Sequence, residues 1–127
     1  MEAIPTAWQP APRVRGHRVL VIEDDRDMRE ALVEVLQLEG YEVEAAGNGA
    51  DGLALARSHR PDVILLDLMM PIMSGWEFRA AQLKDARLAQ VPVIVMSAYH
   101  SDLDVAESIP KPFHLDDMIA AIRRHAE

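Results

Sequence analysis

Three short, unbroken apolar runs constrain this chain most: Val19–Ile22, Val63–Leu66 and Val93–Met96. Each is far shorter than the roughly 20 residues of a membrane span. Each also stops abruptly at polar residues, namely Glu23–Asp24–Asp25, Asp67 and Ser97. A strand with one wet face alternates polar and apolar residues, whereas an unbroken run marks a strand covered on both sides. That is the pattern of a parallel sheet packed between helices.

The intervening segments carry the helical signals. Met28, Ala31, Leu32, Val35, Leu36 and Leu38 recur at helical spacing and stop at Gly40, a helix terminator. Tyr41, Val43 and Ala45 alternate with Glu42 and Glu44, which predicts a strand with one wetter face. Asn48 is placed to cap a helix through Arg57, with Leu53 and either Ala54 or Ala56 inward. A third helix is expected over Trp76–Asp85, anchored by Trp76, and a last one over Leu115–Arg124 with Leu115, Met118, Ile119 and Ile122 as its buried stripe.

At 127 residues the chain suits a single domain. Residues 1–17, with Pro5, Pro10 and Pro12, read as a flexible leader, and 18–125 as the folded domain. Zero cysteines exclude disulfides, thiolate catalysis and sulfur-rich metal sites. A formal charge of −8 argues against direct nucleic-acid binding, which needs clustered Lys or Arg. No signal peptide or spanning segment is evident, so a cytoplasmic location without membrane association is expected.

If the apolar runs lie parallel, their polar ends meet on one rim, joined by Lys111 after a further brief strand. Crowded carboxylates raise a proton affinity or demand a cation, and an all-oxygen donor set suits a hard one such as Mg²⁺. A carboxylate can also be a nucleophile that holds a phosphoryl group as an acyl phosphate. A lysine and a hydroxyl then serve the phosphoryl oxygens.

Together these stretches resemble the receiver domain of two-component response regulators. Val19-Leu20-Val21-Ile22-Glu23-Asp24-Asp25, followed by Met28-Arg29, resembles the family's first strand and acidic pair. Pro61 through Pro71, with Gly75, is similar to its phosphorylation-site motif. Pro92 through Ala98 resembles its fourth strand with the switch hydroxyl, and Lys111-Pro112-Phe113 the end of its fifth. The resemblance implies a doubly wound, flavodoxin-like α/β fold with a five-stranded parallel sheet of order 2-1-3-4-5. It also implies Asp67 as phosphoacceptor, Lys111 as counterion and Ser97 as the hydroxyl that turns toward the phosphoryl group. Glu23, Asp24, Asp67 and the carbonyl of Met69 become the Mg²⁺ ligands, Asp25 a capping or supporting residue, and Lys111–Pro112 a cis peptide. The implied donor is a histidine kinase or histidine phosphotransfer protein, with a downstream protein as a further partner. The implied chemistry is Mg²⁺-dependent self-phosphorylation and autodephosphorylation, not ordinary turnover.

The pattern breaks after Ser97. Only 13 residues separate it from Lys111, and they must hold a loop, a helix, a return and a strand. A whole parallel crossover normally takes at least about 10–12 residues, so the helix expected over His100–Ser108 is short, irregular or missing. Pro110 confines the following strand to a sheet edge. Ser108 occupies the place of the family's switch aromatic, and alignment does not move Tyr99 there. An interaction module of receiver fold, working without regulated phosphorylation, is therefore the alternative. A carboxylate phosphatase is disfavoured, because Leu68 and Met69 follow Asp67 where a second acid is expected. Whether the chain acts alone or was cut from a hybrid kinase or larger regulator stays open.

Overall fold

The computed structural model describes residues 17–98 and 103–126. The leader up to residue 16, Tyr99 and His100 lie outside the described residues. In chain order the elements are β1 (Arg18–Ile22), α1 (Arg26–Leu38), β2 (Glu42–Ala46), α2 (Gly49–Ser58), β3 (Val63–Asp67), α3 (Gly75–Lys84), β4 (Val93–Ser97), β5 (Glu107–Pro110) and α4 (Leu115–Ala126). All strand pairings are parallel, and the five-stranded sheet runs β2-β1-β3-β4-β5, as the resemblance implies.

Strand periodicity sorts the apolar runs onto two faces. Val19, Val21, Val63, Leu65, Ile94 and Met96 pack with Leu32 and Leu36 of α1 and with Met118 and Ile122 of α4. Leu20, Ile22, Ile64, Leu66, Val93 and Val95 pack with Leu53 of α2 and Phe78 of α3 on the other side. The continuous hydrophobicity of the runs thus reflects burial from both sides. Among the described residues no helix is long and apolar enough to cross a membrane.

Local chemistry explains the helix ends. The Asp25 carboxylate accepts the Met28 amide at 3.1 Å and caps α1. At the other end Gly40 takes φ 98°, a conformation that costs a side-chain-bearing residue about 1 kcal/mol or more. There the Tyr41 amide reaches back to the Leu36 carbonyl and the Gly40 amide to that of Gln37, closing the helix. Asn48 caps α2 as expected, with Leu53 and Ala56 buried and Ala54 exposed. Ser74 and Glu77 form a reciprocal capping box on α3, with contacts of 3.2 and 3.1 Å.

Four expected core residues lie outward, the first being Ala31 on α1. Leu38 is 79% exposed in the last turn of α1, two residues past buried Leu36 and so on the opposite face of the helix. Trp76 is 41% exposed, and the anchor of α3 is instead Phe78, whose angular position points at the sheet. Leu115 begins α4 half-exposed, while Ala121 and Ala126 extend the buried stripe.

The β4–β5 connection departs most from a regular crossover. Residues 103–106 are not helical. Leu103 and Val105 pack on the α3-side core, and the Ala106 amide donates to the Val93 carbonyl at 3.0 Å. From α3, Arg79 donates to the Asp104 carbonyl and to the Gln82 side chain, each at 2.8 Å. Buried Gln82 in turn donates to the carbonyls of Leu88 and Val91. β5 is a four-residue edge strand, and Pro110, which has no amide hydrogen, is tolerated there. The Lys111 amide continues the ladder past Pro110, donating to the Ser97 carbonyl at 2.9 Å.

Candidate functional site

In a parallel sheet the register decides which strand ends meet. Ile22 aligns with Leu66, Asp67 with Met96, and Ser97 with Pro110. The residues just after those positions therefore share the carboxyl edge of the sheet: Glu23 and Asp24 after β1, Asp67 ending β3, Ser97 ending β4, and Lys111 after β5. The sequence expectation that they converge on one rim is met.

One carboxylate oxygen each from Glu23, Asp24 and Asp67 lies within 4.8 Å of the others. Glu23 is fully buried, Asp67 is 4% exposed, and Asp24 faces solvent. Lys111 Nζ donates to Glu23 Oε1 at 2.7 Å and stands 3.6 Å from Asp67 Oδ1. Burial, then the hydrogen bond and charge of Glu23 and the nearby Asp24, push the Asp67 carboxyl from 3.8 up to about 7, with Lys111 opposing. Burial works against the Lys111 ammonium, yet its bond to Glu23 and the charges of Glu23 and Asp67 raise its affinity for the proton. Three carboxylates and one ammonium leave an excess of negative charge at the rim, which a hard cation would offset.

The backbone around Asp67 is packed tightly. A Cβ on Gly75 would come within 2.6 Å of the Asp67 carbonyl oxygen and 2.7 Å of Leu68 Cα, so only glycine lets α3 start here. The Gly75 amide donates to the Leu68 carbonyl, and the Met69 amide points at Asp67 Oδ1 from 3.4 Å. Ser97 is buried, and the Lys111–Pro112 peptide is cis. Met69 is 54% exposed, while Met70 and Met73 pack against the α3-side core. Asp25 is the α1 cap, a structural role.

Sequence reasoning assigned no role to Arg29. Its Nη1 donates to the Glu23 carbonyl at 2.8 Å and approaches that of Asp24 at 3.4 Å, holding the acidic turn in shape. The one available signal was an arginine a turn and a half beyond an acidic pair. The direct Glu23–Lys111 bond also had no signature, since the two are 88 residues apart. His59 pairs with Glu44 and His125 with Glu107, away from the acidic trio.

The sequence matches the response regulator receiver domain over residues 19–123. The chain belongs to that family. Among curated proteins, this receiver is 37% identical over 114 residues to response regulator MprA of Mycobacterium sp. strain KMS, covering 84% of this chain and 49% of that protein. The corresponding protein of Mycolicibacterium vanbaalenii is 38% identical, with 84% and 48% covered. The chain thus spans about half the length of the curated relatives it matches. Among solved structures, chemotaxis protein CheY4 of Vibrio cholerae superposes with a TM-score of 0.80 at 29% identity, covering 86% of this chain and 98% of that one. The non-phosphorylated HemR receiver domain of Leptospira biflexa gives 0.78 at 29% identity, with 87% and 94% covered. Among the described residues of its β4–β5 connection, this receiver runs without helix over 103–106.

Proposed function

We propose that Asp67 accepts a phosphoryl group from a phosphohistidine of a histidine kinase or histidine phosphotransfer protein, in two-component signal transduction. The observation that carries this reading is a buried, proton-hungry carboxylate lying 3.6 Å from an ammonium and within 4.8 Å of two further carboxylates. The donor set fits Mg²⁺, which Glu23, Asp24, Asp67 and the Met69 carbonyl would hold. When bound, Mg²⁺ supplies the positive charge that lets Asp67 ionise and that screens an incoming phosphoryl group.

Ionised Asp67 uses an oxygen lone pair to form the new O–P bond. The P–N bond to the donor imidazole breaks, and its electron pair leaves with the imidazole nitrogen. Lys111 exchanges part of its contact with Glu23 for the transferred oxygens, and the Ser97 hydroxyl donates to another of them. Water later cleaves the acyl phosphate and restores Asp67. Phosphorylation biases a two-state equilibrium that a downstream protein reads.

Intact mass after incubation with a small phosphodonor tests this reading. The expected result is one added phosphoryl group with Mg²⁺ present, and none in Asp67→Asn. A second reading, a receiver-fold interaction module without regulated phosphorylation, draws support from exposed Ser108 and from the non-helical 103–106 segment. Folded wild-type protein that takes up no phosphoryl group with Mg²⁺ would favour it.

A further inference from the structure

At the end of the sheet opposite Asp67, three arginines gather around a cavity of about 230 Å³ lined by Ala56, Arg57, Arg60, Arg87 and Leu88. Arg57 closes α2, Arg60 precedes β3 and Arg87 precedes β4, so the fold brings together residues from two loops and a helix end. Elsewhere, arginines that pair with a carboxylate each have their own: Arg18 with Glu42, Arg26 with Glu30, Arg123 with Glu39 and Arg124 with Glu107. Here Asp85 is shared, by Arg57 Nε at 3.3 Å and Arg87 Nε at 3.9 Å. Arg60 Nε donates instead to the Arg87 carbonyl at 2.8 Å. All three contacts use Nε, so among the described residues the terminal nitrogens of each fork bond to no protein group. Three positive charges against one negative stand out on a chain of formal charge −8.

We infer that this cavity binds a small organic phosphate, its phosphoryl head held by Arg57, Arg60 and Arg87 and its apolar body against Ala56 and Leu88. Guanidinium forks match phosphate oxygens two at a time, and Nε contacts to Asp85 and to the Arg87 carbonyl pre-orient two of these forks. The floor of buried Ala56 and Leu88 has no charge to offer and suits a hydrocarbon or planar group. The volume lies below the roughly 300–1,000 Å³ of ordinary ligand pockets, which favours a monophosphate of modest size. A nucleic-acid duplex needs an extended basic stripe, which the acidic remainder of the chain does not provide. The site shares no residue with the Asp67 rim and stands independently of the phosphoryl-transfer reading.

The test is an amide NMR titration of the full chain at low salt without divalent cations, using phenyl phosphate and inorganic phosphate as probes. Saturable shifts are expected at Arg57, Arg60, Arg87 and Leu88, with phenyl phosphate binding several-fold more tightly. Arg60→Gln and Arg87→Gln should each weaken binding by about fivefold or more, and Arg60→Lys, which keeps charge but loses the fork, by less. Arg123→Gln should leave it unchanged, and dispersed spectra check that every variant is folded. Unsaturable shifts, equal losses in Arg123→Gln, or full binding by folded Arg60→Gln and Arg87→Gln would overturn the site. Equal affinity for the two probes would overturn the apolar half of the inference.

Discussion

Around Asp67, the Glu23 carboxylate, the acidic turn and the Asp67 backbone each have a partner that would be costly to lose, whereas the described part of the β4–β5 connection is fastened by one arginine from α3 and a backbone bond to β4. Buried Glu23 is tied to Lys111, the acidic turn to Arg29, and the Asp67 backbone to Gly75. In the connection, Arg79 reaches across from α3 to the Asp104 carbonyl, and the Ala106 amide donates to the Val93 carbonyl. Ser108, opposite Val95 in the register, stands exposed in an edge strand. The difference teaches that the groups proposed for phosphoryl transfer and the β4–β5 connection are built separately, so one can stay intact while the other is rebuilt.

Variants can break that comparison in graded steps. Lys111→Met leaves Glu23 buried without its cation and should cost about 3 kcal/mol in urea unfolding, and adding Glu23→Gln should recover much of the loss. Next, Asp67→Asn should stabilise the metal-free protein at pH 7.5 by on the order of 2 kcal/mol. The sign follows from the raised carboxyl: the folded state binds a proton more tightly than the unfolded one, so wild-type stability falls as pH rises from 3.8 through about 7. The advantage of the variant should therefore fade toward pH 4, as unfolding curves in chelator will show.

Arg79→Ala removes the strut between α3 and the connection and should cost about 1–2 kcal/mol while leaving phosphoryl uptake unchanged. Reduced uptake in that variant would mean the two regions are coupled more closely than their contacts imply. The smallest effect belongs to Glu107, which joins β5 to Arg124 at 2.6 Å and to His125 at 3.0 Å. Hydrogen bonds from Arg124, with a smaller contribution from His125, hold its carboxyl below the usual 4.5. Glu107→Gln should cost about 0.5 kcal/mol at pH 7, because the pair is partly solvent-screened. Stability from a depressed carboxyl is present above 4.5 and lost as pH falls through its folded value, so the variant and wild type should converge in acid.

Much of the fold was legible because burial on both faces leaves an unmistakable mark: the runs before Glu23, Asp67 and Ser97 are the inner strands β1, β3 and β4. The site was legible because those same runs end in its residues. Surface helix positions were less so. Trp76 and Leu38 are apolar, yet apolarity does not report which way a helix turns once Phe78 and Leu36 have taken the core. The 13-residue gap before Lys111 showed that something was missing, but Arg79 reaching Asp104 across 25 residues had no periodic pattern to reveal it. Long-range polar contacts such as Glu23–Lys111 depend on strand order and register, and no local stretch encodes them.

The most direct measurement is to treat the wild-type chain with a phosphodonor and Mg²⁺, reduce any acyl phosphate with borohydride, and map the product by peptide mass spectrometry. Homoserine at position 67 alone, absent when Mg²⁺ is withheld, is the predicted result. Homoserine at another acidic position, or no reduced residue in folded protein, would contradict a site centred on Asp67.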